Sequence, residues 1–145
     1  MRLLLALLLL AFGASHAADN AGSQVELACS ALVPHCLTQN QPLLDAGDPR
    51  AQFWMGRYIF LTNDHAFDQA LPWYQQAAAQ NYAPALMMAA IYHWHGVGQL
   101  SRNRSEAISL MRQAVAANYG PARNLLSYME DSRLSERQLA MLIRF

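Results

Sequence analysis

AGDPRA (46–51), QNYAPA (80–85) and ANYGPA (117–122) are three spellings of one junction. Each introduces a run with apolar residues at helical spacing, and the first two lead on into a second such run. Ala51 to Ala85 is 34 residues and Ala85 to Ala122 is 37. A period in the mid-thirties with two amphipathic segments per unit is the signature of stacked helical hairpins, in which each unit buries its apolar face against the next. The sequence therefore predicts an all-α chain.

Within the first unit, a helix is expected from about Pro49 to Leu61, with proline in the first turn where its missing N–H costs nothing. Ala51, Trp54, Met55 and Tyr58 follow i, i+3, i+4, i+7 and are read as its buried stripe. Gly56 removes a side chain where the next helix must come close. A turn at Thr62-Asn63-Asp64 follows, and Asp64 or Asp68 is placed to cap the second helix. That helix carries Ala70, Trp73, Ala77 and Ala78, and ends near Asn81, a residue that tolerates the left-handed conformation.

These residues resemble the Sel-one-like repeat, a relative of the tetratricopeptide repeat with the pattern A-x-x-x-L-G-x-x-Y-x-x-G-x-G, a variable turn, then A-x-x-W-x-x-x-A-A-x-x-G. Ala51, Met55 and Gly56 match the first part, with Ile59 at the tyrosine position. Ala70, Trp73, Ala77 and Ala78 match the second, with Asn81 in place of the last glycine. In the next unit Ala85, Ala89 and Ala90 open the pattern and Gly96-Val97-Gly98 supplies the glycine loop. Ala107, Leu110, Ala114, Val115 and Asn118 then follow at the second helix's spacing, with His93 in the tyrosine position and Leu110 in the tryptophan position. The resemblance implies a short right-handed α-solenoid of stacked antiparallel hairpins. Its units would be 48–81, 82–118 and a partial third, 119–145, within a repeat domain spanning 47–145. The third holds Leu125, Leu126 and Met129, a turn at Glu130-Asp131-Ser132, and a capping-box spelling at 135–138. A short last helix with Leu139, Leu142 and Ile143 is expected to close the stack.

The start of the chain reads differently. Arg2, the leucine-rich run Leu3 to Phe12 and Ser15-His16-Ala17 spell a signal peptide, cleaved after Ala17, whose apolar core is too short for the ~20 residues of a membrane span. The alternative is an uncleaved anchor. Export to the periplasm or beyond is expected, with no stable membrane insertion afterwards. Residues 18–46 are read as a degenerate opening hairpin, with helices near 24–32 and 37–46. Cys29 and Cys36 flank Pro34, and in an oxidising compartment an even pair reads first as a disulfide. Two free thiols, or a metal pair with His35, are the alternatives.

Composition narrows the function. The chain has ten basic and ten acidic residues and every cation is arginine. This balance argues against nucleic acid or an anionic membrane as the main partner, since both demand a basic surplus. There is no G-x-S-x-G, H-E-x-x-H or phosphate-loop motif. No catalytic residue, cofactor or metal is assigned. His93 and His95, with His65 in the preceding turn, are the most conspicuous cluster to weigh for metal. The alternative has His93 packed in the tyrosine slot and His95 facing water.

In the resembled family the first helices line the concave wall of the solenoid. Carried over, that implies a partner-binding face of Gln52, Phe53, Arg57, Leu86, Met87, Arg123 and Tyr128, with Phe53 and Met87 equally placed to complete the core. Aromatic, methionine and arginine side chains are the types that carry interface energy. The expected function is an exported, non-catalytic adaptor for a protein or peptide, with self-association through the open ends of the solenoid as a further expectation. A glycan or peptidoglycan binder using Trp54, Trp73 and Trp94 is the alternative. A cell-wall or β-lactam hydrolase, an activity attached to some secreted members of the family, is a third.

Overall fold

A computed structural model of the chain describes residues 29, 35–64 and 66–131. The segment read as a signal peptide, most of the first expected capping helix, His65 and the expected closing helix from Ser135 lie outside the described residues.

The chain is all-α, with no strand among the described residues. Two short helices, α1 (Cys36–Gln39) and α2 (Gln41–Asp45), precede five longer ones: α3 (Pro49–Thr62), α4 (Phe67–Ala79), α5 (Ala83–His95), α6 (Arg104–Ala116) and α7 (Gly120–Glu130). From α3 onward each helix packs chiefly on its neighbours in the chain. No described helix is long and apolar enough to cross a membrane.

The thrice-written junction has one physical meaning. Gly47, Asn81 and Asn118 all take positive φ, at 72°, 59° and 60°. At each of them its own N–H and that of the next residue turn back onto the helix that is ending. Asn81 N–H donates to Ala78 O at 2.8 Å and Tyr82 N–H to Ala77 O at 3.2 Å; Asn118 to Val115 O and Tyr119 to Ala114 O repeat the pattern at 2.9 and 3.1 Å. Gly47 to Leu44 O and Asp48 to Leu43 O make it a third time, both at 2.9 Å. This is the Schellman motif, which satisfies the last carbonyls of one helix. Two or three residues later Pro49, Pro84 or Pro121 starts the next. The stop signal and the start signal are thus packed into six residues.

Positions 37 apart are interchangeable in the core. Ala70 and Ala107, Tyr74 and Met111, and Ala77 and Ala114 are all fully buried. The second unit is longer because Gly96–Asn103 replaces the shorter turn between α3 and α4. Gly96 opens that loop with φ 66°, and its missing Cβ leaves room for the Arg102 backbone, which an added Cβ would meet at 2.7 Å.

Helix α3 is buried on two sides. Ala51, Trp54 and Tyr58 lie against a small cluster built on Cys29 and Cys36, with Leu43 and Leu44. Phe53 and Phe60 face the main core, with Gly56 buried between them. The stripe read from sequence is therefore real but belongs mainly to the minor contact, with Trp54 touching both clusters, and Met55 is in neither. Gly56 acts as expected: a Cβ there would meet Tyr74 Cε1 at 2.9 Å and the Ala70 carbonyl oxygen at 3.2 Å.

Three other expectations are corrected. Trp73 is half-buried and outside both clusters, while Tyr74 fills the core. The α4 N-cap is Ala66, with no side-chain cap; Asp64 instead adopts φ 45° in the turn, and Asp68 sits in the first turn. The single helix expected near 37–46 is two short ones, α1 and α2, divided at Asn40, with Pro42 in the first turn of α2.

Cys29 and Cys36 form a disulfide with Cα atoms 5.1 Å apart. Both sulfurs are buried, and the Asn40 amide that approaches them donates to Cys36 O at 2.7 Å.

Candidate functional site

Successive turns of three helices present one face to a common cleft. From α4 come Gln75, Ala78 and Ala79, with Asn81 just beyond; from α5, Leu86, Ala89 and His93; from α6, Glu106, Leu110 and Gln113. The spacings i, i+3, i+4 on α4, i, i+3, i+7 on α5 and i, i+4, i+7 on α6 are those of residues sharing a helix face. Alanines let α4 and α5 leave a gap where larger side chains would fill it. The cleft encloses about 310 Å³, the lower end of the range for ligand sites and enough for one side chain or a small group.

Its floor is apolar, from Leu86, Ala89, Ala78 and Leu110. Its walls carry Gln75, His93, Glu106 and Gln113, none of which makes a side-chain hydrogen bond or ion pair to another described residue. His93 is half-buried and its Nδ1 is fully buried without a hydrogen-bond partner. Glu106 is the one carboxylate in the lining, and no arginine lines it. Glu106 is held at the start of α6, its N–H donating to the capping Asn103 Oδ1 at 3.1 Å.

The family pattern assigned His93 to the core tyrosine slot, but its neighbour Tyr92 occupies the core and His93 turns into the cleft. Tyr92 is fully buried and meets Tyr74 edge-on, with ring centroids 5.6 Å apart. Burial pushes both phenols well above their ordinary value; at Tyr74 the neighbouring Tyr92 adds to this and Arg57 works against it. His95 is half-buried with a buried Nε2, so it does not simply face water. Among the described residues no three His, Cys, Asp or Glu side chains converge to hold a metal ion.

The seven residues read as a partner-binding face are scattered. Gln52 is only 6 % exposed and joins an amide chain, donating to Gln76 Oε1 at 3.3 Å and accepting from Gln80 at 2.9 Å. Gln80 also donates to Gly47 O at 2.9 Å, tying the end of α4 to the start of α3. Phe53 is buried among Trp54, Tyr74 and Tyr82. Leu86, 2 % exposed, survives only as cleft floor. Met87 is half-buried against the core, and Arg57 is half-buried beside Tyr74. Arg123 and Tyr128 on α7 are exposed and lie outside the cleft. Gln52, Phe53 and Leu86 are thus interior side chains, because α3 and α5 are each packed on more than one side.

No family model, curated protein or solved structure matches the chain.

Proposed function

We propose that the protein is an exported, non-catalytic adaptor of the Sel-one-like kind, its helices stacked as antiparallel hairpins in a short solenoid. In this reading it holds a protein or peptide partner in the cleft between α4, α5 and α6. The observation that carries the reading is the cleft itself, in which the exposed Gln75, Glu106 and Gln113 side chains ring an apolar floor. Covering an apolar floor removes it from water, and the polar rim supplies hydrogen-bonding groups to orient what covers it. The Cys29–Cys36 bridge is in keeping with an oxidising compartment. Arg57, Met87, Arg123 and Tyr128 would extend contacts beyond the cleft.

Crosslinking of the tagged protein in its native host, with mass spectrometry of what is recovered, tests this. Ala79→Trp blocks the cleft from an exposed position, and Arg57→Glu with Arg123→Glu alters the outer face. A partner recovered with the parent protein and lost with Ala79→Trp supports the adaptor. Recovery of nothing above background by any form sinks it.

One observation favours a second reading. Trp73 leaves part of its ring outside both clusters, as a glycan platform requires, although Trp94 is buried with Arg104 stacked 5.1 Å from its ring centroid. Quenching of tryptophan emission by peptidoglycan fragments, abolished by Trp73→Ala, would select this alternative.

A further inference from the structure

We infer that the cleft between α4, α5 and α6 takes the guanidinium side chain of an arginine presented by a protein partner. The inference rests on the adaptor reading and specifies what is recognised. Glu106 is the one carboxylate among the described lining groups, no arginine is among them, and no described cation pairs with it. Arg104, two residues earlier, is drawn off over the Trp94 ring. An anionic ligand would meet Glu106 and no arginine. A metal ion would find only His93 and Glu106, too few ligands for a closed site.

An arginine suits every group present. Its planar fork offers five N–H donors. The Glu106 carboxylate and the amide oxygens of Gln75 and Gln113 are all acceptors. Its three methylenes match the apolar floor of Leu86, Ala89 and Leu110. A volume of about 310 Å³ has room for such a side chain. Lysine would satisfy the charge, but its point-like ammonium spans fewer of these acceptors.

The test is an NMR titration of the ¹⁵N-labelled protein with Nα-acetyl-argininamide, followed at the amides of Ala78, Ala89, His93 and Leu110. The probes for comparison are the matching blocked lysine and blocked citrulline, the latter a neutral isostere of arginine. Saturable shifts of these amides are expected with arginine, with citrulline weaker by about tenfold, the loss of one charge-assisted interaction. Glu106→Gln, an exposed substitution whose spectrum reports its own folding, should bring arginine down to the citrulline level. Equal response to arginine and citrulline overturns the inference. So does an arginine response that survives Glu106→Gln, or the absence of any saturable shift at these amides. The crosslinking experiment separates the two levels. A partner lost with Ala79→Trp but kept with Glu106→Gln retains the adaptor and rejects arginine recognition; a partner kept with both rejects the cleft itself.

Discussion

Tyr74 holds a fully buried hydroxyl with no hydrogen-bond partner among the described residues, at the centre of the core. Removing a polar group that has lost water and gained nothing should be neutral or favourable. Tyr74→Phe is therefore expected to leave thermal stability unchanged or raise it by about 1 kcal/mol, whereas Tyr74→Ala should cost about 3–5 kcal/mol through the cavity it opens. Equilibrium urea unfolding of the two variants checks both; a loss of more than 1 kcal/mol in Tyr74→Phe would show that the hydroxyl is satisfied after all. Asp48 is the opposite case. Its side chain accepts from the Arg50 and Ala51 N–H groups at 2.8 and 3.2 Å and pairs with Arg50 at 3.0 Å. Burial alone would raise its pKa, but the hydrogen bond from the Arg50 side chain, those from the two backbone N–H groups and the Arg50 charge together hold it below the ordinary 3.8. A depressed carboxyl contributes stability that is complete above its unfolded value and is lost as pH falls through the lower folded value. Asp48→Ala should cost about 1 kcal/mol at neutral pH, and the gap between variant and parent should narrow below pH 3.8.

At the scale of the helix, Gly56 decides how closely α3 and α4 approach. In an isolated helix alanine would be better than glycine by about 1 kcal/mol, but here its Cβ would sit 2.9 Å from the Tyr74 ring and 3.2 Å from a backbone carbonyl that cannot swing away. Overpacking of this kind costs about 1–3 kcal/mol, so Gly56→Ala should lower the melting temperature despite its better propensity; a rise would mean the two helices slide apart freely. The glycine's role was legible in the sequence, and so were the junctions, because the residues that end and begin helices act through their own backbone chemistry. The facing of α3 was not. Periodicity identifies an apolar stripe, but Ala51, Trp54 and Tyr58 and then Phe53, Gly56 and Phe60 form two stripes on one helix, and nothing local says which neighbour is larger. The same one-residue ambiguity exchanged Trp73 for Tyr74 and His93 for Tyr92. The cleft was hidden for a related reason: Gln75, Glu106 and Gln113 are ordinary polar residues on their own helices. They become a site only when Ala78, Ala79 and Ala89 leave space between them.

Across the whole molecule, contacts follow the order of the chain, from α3 to α4, α4 to α5, α5 to α6 and α6 to α7. If the helices stack as in the proposed solenoid, stability is close to a sum of unit and nearest-neighbour terms, and damage at one end need not reach the other. Met129 is the buried anchor of α7, while the Arg112–Glu130 ion pair at 2.7 Å joins α6 to α7 at an exposed position and contributes little. Met129→Ala should cost about 2–5 kcal/mol locally. Hydrogen exchange followed amide by amide is the decisive measurement. If the helices behave as a stack, protection falls in α7 and the adjoining face of α6 and stays at the parent level in α3 and α4. A uniform fall across all five long helices would instead identify one cooperative unit, whose core, running continuously from Phe53 through Tyr74 and Tyr92 to Met111 and Met129, unfolds only as a whole. The distinction bears on the cleft. In a stack, α4, α5 and α6 keep their spacing, and the cleft its shape, while the terminal helix opens and closes; in a single unit, any loss at α7 would be felt by Glu106 and His93 as well. Amide protection at Ala89 and Leu110 in the Met129→Ala variant therefore reports both the architecture and the rigidity of the cleft.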